Sequence, residues 1–167
     1  MTSLPAAEPH MKSATAGRRR AAAAVGVVAA GLLTLTACEK PTPLATITVS
    51  DISMNAEAVC YNDGKTIQAS DLQNCLKDKN LKALTFDPDE TVRFGVDPEI
   101  ADKGWTILLN GQPLTDSSKK TYRTIPGSVF FNQQYGATGN SSTVSVVEGG
   151  DDKVTGLWSF KLNKSGS

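Results

Sequence analysis

Histidine is almost missing from this chain, and the shortage excludes several kinds of active site. The only histidine among 167 residues is His10, close to the amino terminus. A Ser–His or Cys–His nucleophile pair needs an imidazole as its base, and His-ligated zinc, haem iron and copper need one as a ligand. A domain that begins after His10 therefore lacks these chemistries.

Long apolar segments and common catalytic signatures are also missing. The one extended apolar run covers residues 21–35, and a membrane-spanning helix needs about 20 such residues. The sequence has neither a phosphate-binding loop nor a dinucleotide-binding glycine motif. Gly127-Ser128 lacks the nucleophile elbow of serine hydrolases. These absences argue against a spanning helix and against the common nucleotide-dependent and serine enzymes.

The amino-terminal segment has the three parts of a bacterial signal peptide. Arg18–Arg20 supply the basic region, 21–35 the apolar region, and Thr36-Ala37 the small residues at the cut. Cys38 follows, and its thiol can be acylated. Leu35-Thr36-Ala37-Cys38 resembles the lipobox of bacterial lipoproteins, with Thr36 where Ser or Ala is commoner. We expect residues 1–37 to be a signal peptide and Cys38 to carry the lipid anchor, with palmitate-type chains.

Three features of this segment stay open. An ordinary secretory signal followed by an incidental cysteine would have the same overall pattern. Residues 1–10 do not resemble a basic region, so translation that starts at Met11 is an alternative. The arginines also permit twin-arginine export, although Ala21-Ala22 is less bulky than the pair that usually follows.

Removal of residues 1–37 would leave a chain of 130 residues. It holds 13 Lys and Arg against 16 Asp and Glu, so its net charge is −3. That length fits one domain with a sizeable core, and the acidic balance argues against nucleic acid as a partner. Because Pro41 and Pro43 favour extended chain, we expect a lipidated tether over 38–43 and a single domain over 44–167.

Cys60 and Cys75 are the two thiols left once Cys38 is acylated. An exported domain meets an oxidising environment, in which such a pair forms a disulfide. Closing a loop of about 15 residues stabilises a fold by roughly 3 kcal/mol in the chain-entropy model. A redox pair is the alternative, but the spacing is not C-x-x-C. We therefore expect a structural disulfide between Cys60 and Cys75.

One short helix is predicted close to the second of these cysteines. Residues 70–73 read as a capping box, with Ser70 at the cap and Gln73 three residues later. Leu72, Cys75 and Leu76 would share one face of this helix. A helix of this length is not stable alone in water, so we expect the disulfide to hold it in place.

The rest of the chain alternates apolar and polar residues over short runs separated by turn signals, which is typical of β-strands. Runs cover 44–52 and 56–61, and more follow from residue 81. Asn110-Gly111 predicts a tight hairpin. Asp97-Pro98-Glu99 predicts one helical turn between two strands. The expected core residues are Val92, Phe94, Val96, Trp105, Ile107, Leu109, Val144, Val146, Trp158 and Phe160.

Seven to nine strands with this punctuation predict an all-β fold, a sandwich of two sheets. The strand order resembles an immunoglobulin-like domain, because Trp105 lies on the strand after 92–96, where such domains carry a core tryptophan. The cysteines do not flank Trp105. They staple the one short helix near the amino terminus of the mature domain. An open barrel is the alternative architecture.

Four segments carry a further resemblance, which are 39–44 at the tether, Ala58–Gly64, Val96–Ala101 and Gly156-Leu157-Trp158. Through them, most of the mature chain resembles a group of small actinobacterial exported lipoproteins that are classed only as a domain of unknown function. This resemblance implies a cell-surface lipoprotein and implies no activity.

Acidic residues offer two further interpretations. Carboxylates are suitable ligands for calcium, and a pair of them can act as acid and base in glycoside hydrolysis. No EF-hand spacing is present, and Asp-Pro pairs and helix caps explain most of these residues as turn chemistry. We therefore expect no metal site, no cofactor and no catalytic residues. The residues concerned are Asp87, Asp89, Glu90, Asp97, Glu99 and Asp102.

Phe130 and Tyr135 form the candidate binding patch. If 129–131 is a strand, Val129 and Phe131 share the core face and Phe130 points outward. An outward phenylalanine needs a cover or a partner. Either the following loop folds back with Tyr135 over the ring, or the two aromatic residues form the rim of a surface that binds a partner.

The sequence thus predicts a membrane-anchored extracytoplasmic lipoprotein on the outer face of the bacterial cell membrane. Its leading role is a non-enzymatic binding or envelope-assembly module, whose partner is an envelope protein, a glycan or a small ligand. A small hydrolase that uses carboxylates and a purely structural surface protein are the alternatives.

Overall fold

The computed structural model describes residues 41–150 and 153–166. The predicted signal peptide and Cys38 lie outside these residues. No helix in the described part is long and apolar enough to cross a membrane. The helices are α1 (Ala69–Cys75) and α2 (Pro98–Lys103). The strands are β1 (Ala45–Val49), β2 (Ile52–Ala56), β3 (Cys60–Tyr61), β4 (Lys82–Phe86), β5 (Thr91–Val96), β6 (Trp105–Leu109), β7 (Gln112–Pro113), β8 (Tyr122–Pro126), β9 (Ser141–Glu148) and β10 (Gly156–Lys164).

The first sheet has four antiparallel strands in the order β2-β1-β5-β8. A two-residue turn joins β1 to β2, and its first residue, Ser50, has a φ of 51°. Ala45, Ile47 and Val49 of β1 are buried while the residues between them are half-buried. The alternation predicted for the run 44–52 is confirmed over β1, but the run does not form one strand, because the turn at Ser50 and Asp51 ends β1 and Ile52 begins β2.

The second sheet has the order β3-β10-β9-β6-β7, and β4 also pairs with β10. All of its pairs are antiparallel except β4 with β10, which is parallel. Asn110 and Gly111 have φ values of 49° and 83° in the turn from β6 to β7, so the predicted hairpin is confirmed.

Both sheets contribute side chains to one hydrophobic core. The two tryptophans are fully buried, and each indole N–H finds a main-chain acceptor. Trp105 donates to the oxygen of Lys120 and Trp158 to that of Pro43, each at 2.7 Å. The ten predicted core residues, named above, are all at most 8% exposed, so that prediction is confirmed.

Helix α1 covers part of the outer face of the second sheet. The predicted disulfide between Cys60 and Cys75 is present. Leu72, Cys75 and Leu76 pack in a second apolar cluster that includes Leu157 of β10. The predicted shared face of the helix is therefore confirmed, and the disulfide ties the helix to β3.

The predicted capping box at the start of α1 is wrong. The cap residue is Gln68, without a side-chain cap, and Ser70 lies inside the helix. The main-chain N–H of Ile67 donates to Val154 at 2.7 Å, and Ile67 is buried. This tertiary contact fixes the chain just before the helix, so the helix begins earlier than the local signal predicts.

Helix α2 is the helical turn predicted between two strands. Asp97 precedes it, Pro98 is its first residue, and Glu99 lies in its first turn. The Asp97 carboxylate accepts from the main-chain N–H of Leu44 at 2.8 Å and does not cap its own helix. Asp97 thereby fixes the chain just before β1 against α2.

We expect loss of the disulfide to destabilise the fold while the two sheets still form. Replacement of both Cys60 and Cys75 by Ser should lower the free energy of unfolding by about 2–4 kcal/mol. Denaturant unfolding followed by tryptophan fluorescence measures the loss, because Trp105 and Trp158 lie in the core. A double variant as stable as the wild type, or one without sheet structure by circular dichroism, would contradict this expectation.

Candidate functional site

The orientation predicted for Phe130 is wrong. Residues Gly127–Phe131 form a 3-10 helix and not a strand, so neighbouring side chains do not alternate between two faces. Phe130 is 0% exposed, and its ring centroid lies 5.8 Å from that of Phe94. Gly127 is the first residue of this helix. A side chain there would clash, because a Cβ atom would lie 2.6 Å from the main-chain oxygen of Glu90.

Tyr135 is the only exposed member of the predicted patch. It ends a second 3-10 helix, Gln133–Tyr135, and is 47% exposed. Phe130 lies in the main core and does not reach the surface. The binding role predicted for the pair therefore depends on Tyr135 alone.

A buried ion pair joins α2 to the second sheet. Glu148, the last residue of β9, is 0% exposed, and its Oε1 accepts from Lys103 Nζ at 2.7 Å. The hydroxyl of Thr155 donates to the same Oε1 atom. The other oxygen, Oε2, is buried and has no hydrogen-bond partner among the described residues. A buried carboxylate of this kind depends strongly on its cation.

Lys103 is the exposed end of this cluster. It is the last residue of α2, where a cation suits the helix dipole, and its side chain is 36% exposed. Its Nζ lies 5.5 Å from the centroid of the Tyr61 ring, close enough for a cation–π contact. Burial lowers the pKa of Lys103, but Glu148 and Tyr61 together outweigh it, so this pKa lies above its ordinary value of 10.5.

The raised pKa argues against a catalytic role for this amine. A nucleophilic lysine needs a depressed pKa so that the neutral amine is available at physiological pH. Lys103 is held in its charged form by Glu148. The cluster therefore acts as an electrostatic clamp between α2 and β9.

Two surface cavities flank Tyr61. One has a volume of about 420 Å³ and is bordered by Lys103, Asp63 and Asp102. The other, of about 480 Å³, lies towards α1 and includes Ile67. Their walls mix polar and apolar groups, with Val59 and Ile67 in the second cavity and charged side chains in the first.

A third cavity lies on the outer face of the second sheet, beside α1. Its volume is about 310 Å³, and its apolar walls come from Leu72 of α1, Leu108 of β6, Val147 of β9 and Val154. It borders Gly150, after which the described chain is interrupted. Sequence reasoning missed this cavity because α1 covers an apolar outer face that period-two alternation does not predict.

Sequence reasoning also missed Glu148, although a signal for it exists. Val144, Val146 and Glu148 are spaced two apart, so the same alternation that buries the valines places the carboxylate inward. Its partner Lys103 is 45 residues away, and only the folded chain brings the two together.

Three of the six acidic residues considered for calcium, Asp87, Glu90 and Asp97, accept hydrogen bonds from main-chain N–H groups. Asp87 accepts from the N–H of Asp89 at 2.9 Å, and Glu90 accepts from that of Asp87 at 3.1 Å. These contacts support the turn-chemistry interpretation. Within the described residues, no three histidine, cysteine or acidic side chains lie together as metal ligands would.

Comparison with known proteins adds no relative. No family model matches the chain. No curated protein and no solved structure matches it either. The functional argument therefore depends on the fold and on the side chains described here.

We expect Lys103→Met to destabilise the protein through the charge that it strands. The free energy of unfolding should fall by about 2–3 kcal/mol, which is less than for a fully buried pair because Lys103 is partly exposed. In a Glu148→Gln background the same change should cost under about 1 kcal/mol, since no buried charge remains. Denaturant unfolding of the four proteins measures the coupling. Equal losses in both backgrounds would show that the clamp is not electrostatic.

The raised pKa of Lys103 also predicts a pH dependence. Its folded pKa exceeds its unfolded value, so its contribution is fully present below about pH 10.5 and declines as the pH rises through the folded pKa. The wild type should therefore lose its stability advantage over Lys103→Met at alkaline pH. Unfolding free energies of both proteins between about pH 8 and 11.5 test this. Parallel pH profiles would contradict it.

Proposed function

We propose that this protein is a lipid-anchored binding module that works at the extracytoplasmic face of a bacterial cell membrane. The observation that carries the proposal is the contact that fixes the chain to the domain at Pro43. Pro43 is buried, and its main-chain oxygen accepts from the indole of Trp158 at 2.7 Å. This anchoring point lies five residues after Cys38, the proposed acylation site.

The short tether sets the reach of the module. Five extended residues span at most about 18 Å, so the domain would lie close to the lipid headgroups. Two or three acyl chains on one cysteine hold a protein stably on a bilayer. The disulfide between Cys60 and Cys75 supports an exported location, because structural disulfides persist in oxidising compartments.

We further propose that the fold is an immunoglobulin-like sandwich. Such domains place strands A, B and E in one sheet and C, F and G in the other. Here β1, β5 and β8 lie side by side in the first sheet, and β6, β9 and β10 in the second. The chain crosses from β5 to β6, and the first residue of β6 is the buried Trp105. Both features support this assignment.

A binding role fits the site chemistry better than catalysis does. The buried carboxylate of Glu148 is paired with Lys103, and the carboxylates of Asp87, Glu90 and Asp97 accept from main-chain N–H groups. Neither arrangement leaves a pair of carboxylates poised as acid and base across a cleft. We therefore favour a partner on the cell envelope, a protein or a glycan, over a small hydrolase.

We expect Cys38→Ala to release the protein from the membrane or leave it unprocessed. Fractionation of cells and incorporation of labelled palmitate measure the two effects together. Thr36→Ala is a matched control, because it keeps the small residue before the cut and should leave both anchoring and processing intact. Unchanged membrane retention of Cys38→Ala would refute the proposed anchor.

A further inference from the structure

The outer face of the first sheet is an open polar surface. Positions that alternate with the buried core residues of β1, β2, β5 and β8 point away from the core. The strand register places them in two adjacent rows across the sheet. One row is Asn55, Thr46, Gly95 and Tyr122, and the other is Ser53, Thr48, Arg93 and Thr124.

Gly95 leaves a notch in the middle of this face. It lies between Thr46 on β1 and Tyr122 on β8. A Cβ atom at Gly95 would meet only the Cβ of Thr46, at 3.9 Å, among described atoms within 4 Å. No atom of Tyr122 thus lies within 4 Å of that Cβ position.

Tyr122 is the most exposed large hydrophobic residue in the described chain, with 67% of its surface accessible. Tyr122 lies opposite Gly95 on the neighbouring strand, so its side chain stands at one side of the notch. A tyrosine ring combines an apolar face with a hydroxyl that both donates and accepts hydrogen bonds. This combination matches a sugar ring, which has an apolar face of C–H groups and a rim of hydroxyls.

Arg93 supplies the charge of this face. It is exposed, and it has no ion pair or hydrogen bond through its side chain among the described residues. The other outward positions in the two rows are uncharged. A planar guanidinium with free donors pairs best with a carboxylate, which it can bind through two parallel hydrogen bonds.

We propose that this face binds a uronic-acid unit of an acidic polysaccharide. One sugar ring lies in the notch above Gly95, against the ring of Tyr122. Its carboxylate pairs with Arg93 in the neighbouring row, and its hydroxyls bond to Thr46 and Thr124. The inference rests on the proposed function as a binding module, and it names the class of partner for that module.

Trigalacturonate is the probe, and its methyl ester is the matched neutral ligand with the same rings. The purified full chain, extracted in detergent, is titrated with each ligand by calorimetry at low salt. We expect the acid to bind and the ester to bind at least about tenfold more weakly, since one charge-assisted pair is lost. Arg93→Gln should abolish this preference for the acid.

Two further variants test the position of the sugar. Tyr122→Ala should weaken binding of the acid about tenfold or more. Gly95→Val fills the notch, yet it should melt at the same or a higher temperature, because valine favours strands and an added Cβ makes only ordinary contacts. Lost binding in a protein that is no less stable would separate ligand contact from structural damage. Ile52→Ala, which changes another exposed apolar side chain, should bind as the wild type does.

Three outcomes would overturn the proposal. The first is that neither ligand binds, the second that acid and ester bind equally, and the third that Gly95→Val and Tyr122→Ala bind as the wild type does. Tyr135→Ala is made alongside, and loss of binding in that variant with Tyr122→Ala unaffected would also overturn the proposal, because it would place the ligand near Tyr135. None of these results bears on anchoring, because the fractionation of Cys38→Ala tests the location independently in intact cells.

Discussion

The buried indole of Trp158 is the contact on which much of this domain depends. Its strand, β10, pairs with β9 on one side and with β3 and β4 on the other. Its N–H holds the main chain at Pro43, and its ring lies 6.1 Å from that of Tyr61, which in turn contacts Lys103. A Cβ atom at Gly156 would lie 2.5 Å from the indole, so this residue must be glycine. The chain just before β1 and the second sheet thus meet at one side chain, which also contacts the ring beside Lys103.

Period-two alternation predicted the core well because side chains on alternate positions of a strand face the same way whatever the partner strand is. It failed at Phe130, where the chain enters a 3-10 helix after Pro126-Gly127 and the period becomes three. The prediction of the helix cap at Ser70 was wrong because the main-chain hydrogen bond from Ile67 to Val154 overrides the local sequence signal. Sheet order and the Lys103–Glu148 pair could not be predicted, since both join residues far apart in the chain.

The outer faces of the two sheets differ in composition. The second sheet carries apolar side chains there, and α1 covers them with the help of the disulfide. The outward positions of the first sheet carry hydroxyls, one amide, one guanidinium and Tyr122, and they are exposed or half-buried. The covered face stabilises the domain, and the exposed side chains of the other face can contact a partner.

Lys82 joins the edges of the two sheets, since from β4 in the second sheet it donates to the main-chain oxygen of Asn55 in β2 at 2.8 Å. On the same side, β3 and β4 together occupy the edge of β10. An edge strand with free main-chain groups readily recruits a strand from another molecule. Lipidated proteins held on a bilayer meet one another at high local concentration and with few orientations. A lysine at a strand edge disfavours pairing with another molecule. For the lipid-anchored module proposed above, Lys82 would therefore limit the joining of neighbouring copies into continuous sheets at this edge.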